Sequence, residues 1–369
     1  MKKILYIGGF ELPDKNAAAH RVMANAKLLK ENGFGVSFIG VTKDPKKAPN
    51  DIEGFVCKHI NYPSNIKTWI YQIVTFVDPK MIFEEHPDYV ILYNFPSIAS
   101  LKIIHACHKN NIKVICDLTE WEMAYGFTPR ILIKKLDIWL RMHHCIPKMD
   151  GVIAISKYLY DYYKEKTPCV YIPPTVDLSD PKWNRGRGLC AHDKVQLIYA
   201  GTGIGDGNKD RLDFVIESIK DKPNIELTVV GMTKEEYIQS YGKGVPNCVL
   251  VTFKGRVSHN EAVEAVQNAD FQVLIRQNNL KNNAGFPTKF VESFSCCTPL
   301  IATQTSNICD YLRDGENGIL VKDIHALEGV MKKVELLPKE EIVKMKKACQ
   351  KVQAFDYRNY KDVINTLFL

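Results

Sequence analysis

Residues 196–230 read QLIYAGTGIGDGNKDRLDFVIESIKDKPNIELTVV, and their pattern decides the fold class. A short, mostly apolar run, Gln196–Tyr199, ends in a glycine-rich turn. A helical period follows over Asp210–Ile219, and a second run, Glu226–Val230, closes the unit. Strand, helix and strand in succession predict a crossover unit with parallel strands. Working outward, Val249–Phe253, Phe271–Ile275 and Leu300–Ala302 are further strand-like runs, with a helical stretch at Asn260–Gln267. Toward the amino end, Ile4–Ile7, Val36–Ile39, Tyr89–Tyr93, Lys113–Cys116 and Val152–Ile155 form an earlier series, with a helix at His20–Asn32. The runs are near-continuously apolar, as parallel strands covered on both faces must be.

Residues 171–194 separate the two series. They hold three prolines, two glycines and many charges, with no sustained helical or strand period. The expected organisation is therefore α/β: a doubly wound Rossmann-like domain at 1–170, a linker at 171–194 and a second doubly wound domain at 195–354. A helix at about 355–369 is free to pack back on the first domain. Such sheets bind ligands at the carboxyl ends of their strands, so two facing domains make one central cleft.

Composition narrows the class. The 369 residues are 46% hydrophobic and 25% charged, which is ordinary for a globular enzyme and unlike a disordered chain. No apolar run reaches the ~18 residues that span a bilayer. Met1–Phe10 is basic and then apolar but lacks a small-residue cleavage site, and reads as a first strand. Eleven cysteines, none in a CxxC pair, fit a reducing cytoplasm better than a disulfide framework. His105 with His108, and His143 with His144, have no Cys or carboxylate at metal-ligand spacing, so no metal is expected. The net charge of +7 is concentrated in residues 1–185, which carry +6, against +1 for 186–369. That bias suits an anionic partner and equally suits simple solubility. Basic residues are dispersed and no nucleic-acid module appears, so nucleic acid is not an expected partner.

Three loops can approach a phosphate. Gly8-Gly9 ends the first strand, though the loop lacks GxGxxG and reads equally as a tight turn. Ala200–Asp210 places four glycines and Lys209 before a helix, a stronger pattern, because helix N-terminal amides bind anions. A flexible glycine loop with a solvated lysine is its plain alternative. The strongest segment is Asn283–Phe294 (NAGFPTKFVESF). A Gly-Phe-Pro turn leads into a helix whose start presents Thr288 and Lys289, with Pro287 near the first turn, where its missing N–H costs nothing. Glu292, four residues past Thr288, lies on nearly the same face. There a carboxylate can accept both hydroxyls of a ribose; the plain alternative is a surface glutamate after a common Pro-Thr helix start.

These residues resemble the retaining nucleotide-sugar glycosyltransferases of family 4, which have the GT-B fold. Gly285-Phe286 and Glu292 match the family segment. Thr298–Thr303 resembles its following strand, Asp314–Val321 its Asp-Gly-x-Asn-Gly turn, and Phe253–Ser258 the loop that receives the nucleotide base. The first half matches more loosely, through the Gly-rich first loop, the Gly33–Val36 turn and Ile155-Ser156-Lys157. The resemblance implies that Glu292 holds the ribose, that Lys209 contacts the diphosphate, and that the backbone of Phe286, Pro287 and Thr288 approaches the donor. Gly9 and Gly201 would give the two glycine loops close access, with Arg256 beside the base. Three positions depart from the family pattern. Ala284 stands where the first glutamate of a pair belongs, Thr202 lies near the place of the phosphate arginine, and Pro174-Thr175 replaces an Asn-Gly. Arg276, just after the Phe271–Ile275 strand, is available to supply the missing charge.

The resemblance further implies a retaining, metal-independent hexosyl transfer with no cofactor besides the nucleotide-sugar substrate, in polysaccharide or glycan assembly. Without a metal, leaving-group charge falls to Lys209, helix N-terminal amides and, as a further candidate, Arg276. In the first half, Cys116–Glu122 follows a strand. Asp117 and Glu120 are the candidates for acceptor binding or proton handling, the alternative being a helix cap over Asp117–Thr119. Arg130–His144 mixes basic, aliphatic and Trp residues, as interfacial helices do. It is a candidate contact with the inner face of the cell membrane near a lipid-linked acceptor, with a buried helix and snorkelling lysines as the rival. Two other functions stay open: a binder of nucleotide-sugars without turnover, suggested by Ala284, and a GT-B nucleotide-sugar epimerase.

Overall fold

The structure is a computed structural model that describes residues 1–368 except 14, 187 and 203–208. Fourteen strands lie among the described residues: β1 (Lys3–Gly8), β2 (Gly35–Thr42), β3 (Asp51–Ile52), β4 (Phe55–Asn61), β5 (Tyr89–Tyr93), β6 (Lys113–Leu118), β7 (Gly151–Ala154), β8 (Cys169–Tyr171), β9 (Val195–Ala200), β10 (Ile225–Val230), β11 (Val251–Phe253), β12 (Phe271–Leu274), β13 (Leu300–Thr303) and β14 (Gly318–Val321). The chain forms two compact units. Met1–Val176, Ala284–Phe286 and Tyr357–Leu369 make the first; Asp177–Asn283 and Pro287–Asp356 make the second.

The first unit holds an eight-stranded sheet in the order β3-β4-β2-β1-β5-β6-β7-β8, parallel except for the two-residue edge strand β3. Ile4, Tyr6, Phe38, Ile91, Ile115 and Ile153 lie in its core. The Ala17–Glu31 helix packs on this sheet, its N-terminus capped by the Asn16 side chain bonding Ala19 N at 2.8 Å. The C-terminal stretch forms a short Lys361–Asn365 helix in the same unit, where Tyr357 Oη donates to Glu31 Oε1 at 2.5 Å.

The second unit holds a fully parallel six-stranded sheet in the order β11-β10-β9-β12-β13-β14. Leu197, Leu227, Phe271, Val273 and Ile301 are its buried centre. Residues 177–194, expected as linker, are tied into this unit. Lys346 is 1% exposed, and its ammonium donates to the Gly188 carbonyl at 2.9 Å and the Cys190 carbonyl at 2.7 Å. Arg185 donates to the Cys349 and Val352 carbonyls at 3.2 and 3.0 Å. Both units are Rossmann-like, and the molecule has the GT-B fold expected from the sequence.

In each sheet the strand order reverses beside the first strand of the unit. β1 lies between β2 and β5, and β9 lies between β10 and β12. At such a switch point the chain leaves neighbouring strands in opposite directions and opens a crevice beyond their carboxyl ends.

Candidate active site

The switch point of the second unit gathers charge. Gly201 follows β9, Arg276 follows β12, and Asp210 forms an isolated backbone bridge with Arg276. Arg276 Nε donates to Asp210 Oδ1 at 2.6 Å, and the Tyr199 hydroxyl donates to Asp210 Oδ2 at 3.0 Å. The Lys289 ammonium pairs with the same carboxylate and also donates to Tyr199 Oη at 3.0 Å. Burial works to raise the Asp210 carboxyl, but Arg276 and Lys289 overcome it and hold the group far below the usual carboxylate range. Burial first, then Asp210, pushes the Tyr199 phenol well up, so it is a standing donor.

The Lys289 side chain packs closely over Gly201. A Cβ there would lie 2.1 Å from Lys289 Nζ and 2.4 Å from its Cε. Thr303 fixes the other side, its hydroxyl accepting from Arg276 N at 2.7 Å and donating to Arg276 O at 2.8 Å.

Lys289 and Glu292 share one helix, Thr288–Ser295, with Pro287 at its N-cap and no side chain capping it. Phe290 N donates to the Pro287 carbonyl at 3.1 Å, and the Thr288 and Lys289 amides at the very start are left for an outside acceptor. The helix packs through Phe290, Val291 and Phe294, all buried. This leaves Thr288, Lys289 and Glu292 partly exposed on the other side. Among the described residues no donor is hydrogen-bonded to the Glu292 carboxylate, and Lys289 and Lys182 are the cations that act on it. Desolvation outweighs both and pushes this carboxyl up from 4.5 to about 7. A desolvated carboxylate without donors beside an uncapped helix end can accept paired hydroxyls while the helix amides take an anion.

The structure thus brings Gly201, Arg276, Lys289 and Glu292 into one region. Arg276 and Lys289 are both paired with Asp210, which neutralises one of the two cations before any ligand binds. Asp210 was missed, because on paper it is only the end of a glycine loop; its position directly after Lys209 was the available signal. Lys209 is partly buried next to it. The glycines at 203, 205 and 207 lie outside the described residues. Arg256 is apart from this group, 69% exposed and 3.6 Å from Glu236, on the loop after β11. Phe286 and Pro287 are buried. Ala284 is fully buried and supplies no carboxylate.

In the first unit, Asp117 is inaccessible and cannot handle an acceptor proton. Arg21 Nε donates to its Oδ1 at 2.8 Å, Asn25 Nδ2 donates to Oδ2 at 3.2 Å, and the Tyr6 hydroxyl also bonds Oδ2. Arg21 continues to the Ile172 and Pro173 carbonyls at 3.1 and 3.3 Å. This network joins the first helix, β6 and the segment after β8, a positioning task rather than chemistry. Asp117 is no helix cap either: β6 runs to Leu118 and the next helix begins at Pro129. Glu120 lies beyond the strand end and is partly exposed. At the same end Asn94, in a left-handed conformation, accepts from Thr119 N at 3.1 Å. The space around Gly9 is open, with no atom within 4 Å of where a Cβ would stand. Among the described residues no three His, Cys, Asp or Glu converge as metal ligands.

Comparison with solved structures supports the fold. The chain superposes on sucrose-phosphate synthase from Thermosynechococcus elongatus with a TM-score of 0.72 at 16% identity, covering 100% of this chain and 98% of that one. It superposes on Anabaena HepE, in complex with UDP and glucose, with a TM-score of 0.68 at 15% identity, covering 100% and 99%. A glycosyltransferase from Rickettsia africae gives 0.66 at 14% identity, covering 100% and 98%. No curated protein sequence matches the chain significantly. Residues 191–352, which hold β9–β14, the Asp210 cluster and Glu292, match the family of glycosyl transferases group 1.

Proposed function

We propose that the protein is a retaining glycosyltransferase that moves a hexosyl group from a nucleotide-diphosphate sugar to a saccharide or lipid-linked acceptor. The observation that carries the reading is Glu292: a desolvated carboxylate without a hydrogen-bond donor among the described residues, one helical turn past an uncapped helix start. Ribose hydroxyls would donate to it while the diphosphate meets the Thr288–Lys289 amides. The solved relative HepE, which holds UDP and glucose, is consistent with this class of donor.

In the reaction the bond between the sugar's anomeric carbon and the phosphate oxygen breaks, and a bond to an acceptor oxygen forms. The acceptor proton passes to the departing diphosphate. Lys289, Arg276, Lys209 and helix amides are the groups that balance the released charge. No carboxylate nucleophile and no cofactor is needed in that scheme. Glu120 is the remaining candidate on the acceptor side.

A second reading, donor binding without turnover, draws on Ala284 and on Asp210, which neutralises one of the two nearby cations. One experiment separates them. The protein is incubated with a panel of uridine-, guanosine- and adenosine-diphosphate sugars, and thermal shift and release of free nucleotide are followed together. Stabilisation with slow release, both removed by Glu292→Ala, supports the transferase. Stabilisation without release supports the binder. No shift with any donor overturns both.

A further inference from the structure

The first unit exposes a face that an aqueous surface does not explain. The Ile66–Val74 helix has no buried residue, and Ile66, Ile70 and Tyr71 are 63%, 48% and 57% exposed. The Pro129–Leu140 helix shows the same habit. Its inner side is pinned by buried Ile138 and by Asp137, whose carboxylate accepts from Ser97 N and Oγ at 2.8 and 2.7 Å. Its outer side carries Leu132, Leu136 and Trp139, each 50–57% exposed and spaced i, i+4, i+7 on one stripe. Phe127, 85% exposed, leads into this helix.

These pieces form one surface. The Arg130 guanidinium lies over the Trp69 ring at 4.8 Å, joining the two helices. The Lys135 ammonium lies over Phe127 at 4.8 Å and donates to the Gly126 carbonyl at 2.9 Å, holding the loop to the second helix. A contiguous exposed apolar patch of this kind marks an interaction site rather than chance.

Its charge identifies the partner. Residues 61–77 and 123–136 contain no Asp or Glu, while Lys67, Arg130, Lys134 and Lys135 rise from among the apolar side chains. Lys134 leans on Glu122 at 2.6 Å at the base of the patch. Lys67 and Arg130 are exposed. Apolar side chains flanked by basic residues, with acids excluded, match the boundary between acyl chains and anionic head groups.

We propose that this face docks the protein on an anionic phospholipid bilayer. The helices lie in the interface plane, with Phe127, Leu136 and Ile70 inserted and Lys67 and Arg130 among the lipid phosphates. Among the described residues no helix is long and apolar enough to cross a membrane, so attachment would be peripheral. Both segments emerge beyond carboxyl ends of the sheet, after β4 and β6, on the side where Glu120 stands. Docking therefore presents the acceptor side of the first unit to the bilayer. If the transferase reading holds, this favours an acceptor whose sugar is carried on a lipid.

The test is flotation of the full chain with vesicles of phosphatidylcholine alone and with 30–40% phosphatidylglycerol (about one lipid in three). Each basic residue at such a surface is worth about 1 kcal/mol, or roughly fivefold. Lys67→Glu with Arg130→Glu is therefore expected to weaken binding to anionic vesicles at least ~20-fold. Phe127→Ser with Leu136→Ser is expected to abolish it, and both are exposed, so neither pair should disturb folding. Nucleotide thermal shift is run on the same samples and should be unchanged, which separates failure here from failure of the donor reading. No binding to anionic vesicles overturns the proposal. So does binding unaffected by either pair, or a dimer in solution that Phe127→Ser with Leu136→Ser dissociates, which would assign the face to a second copy of the chain.

Discussion

Arg276 Nε donates to Asp210 Oδ1 at 2.6 Å, across the two chain segments that meet beyond β9 and β12. This pair, with Lys289 on the other carboxylate oxygen, sets the electrostatics of the second unit's switch point. Two cations around one carboxylate leave a single net positive charge facing any incoming diphosphate. The carboxylate holds the cations in place before a ligand arrives.

Asp210→Asn should therefore be costly. It leaves Arg276 and Lys289, 8% and 17% exposed at their side chains, without a counter-ion. Removing one partner of a buried pair destabilises by about 3–5 kcal/mol. Urea denaturation should show that loss, and saturating nucleotide diphosphate should restore part of it by supplying the missing charge. A loss under ~1 kcal/mol would show that the cluster is not under strain from burial.

Glu292 makes a prediction with a definite sign. Its folded-state value is raised from 4.5 to about 7, so the folded state holds a proton that the unfolded chain releases. Stability from this group is greatest at low pH and is lost as pH rises from about 4.5 through about 7. Glu292→Gln carries no such charge. It should match the parent near pH 4.5 and exceed it at pH 8. The shift alone implies ~3 kcal/mol, and partial exposure of the side chain reduces the expected gain to about 1–2 kcal/mol. Melting curves at the two pH values check this.

The same group should make donor binding pH-dependent. On the proposed reading ribose hydroxyls would donate to the ionised carboxylate, so nucleotide affinity in the parent should fall up to tenfold per pH unit below about 7. Glu292→Gln should bind weakly and without that slope, as measured by titration calorimetry in matched buffers.

Gly201→Ala tests close approach at the end of β9. The added Cβ collides with the flexible end of Lys289, 2.1 Å away, and meets the Tyr199 hydroxyl at an ordinary 3.4 Å, so the protein should fold and lose no more than about 1–2 kcal/mol. Nucleotide affinity should drop at least ~10-fold, because the methyl group takes the ligand's space and moves the ammonium. Thermal shift with and without nucleotide reads both effects.

Asp117 and Glu120 should part company. Asp117→Asn breaks a buried pair with Arg21, whose side chain is 2% exposed, and should cost about 3–5 kcal/mol. Glu120→Gln lies at a partly exposed strand end and should change stability by less than ~0.5 kcal/mol. Any loss of transfer rate in the Glu120 variant at unchanged stability would place it on the acceptor side.

All ten strand-like runs read from the sequence correspond to strands, because a parallel strand buried on both faces must be apolar along its length. The strands that went unread, β3, β4, β8 and β14, lie at or next to the sheet edges: β4 carries polar residues along its solvated side, and β3, β8 and β14 are only two, three and four residues long. The Ile66–Val74 helix escaped because it is only nine residues long, shorter than the window over which a helical period can be told from a strand or loop.

The sequence by itself determined the fold class, the place of the break between the two strand series, and the helix on which Lys289 and Glu292 sit one turn apart. Those properties depend on neighbours within a few residues, where hydrophobic period and turn chemistry act. The tertiary structure alone decided that Asp210 claims Arg276 and Lys289, that Asp117 is sealed by Arg21, and that an apolar, basic face remains uncovered. Each depends on groups between about 60 and 100 residues apart in the chain meeting in space, where burial rather than residue type sets whether a charge is free to act.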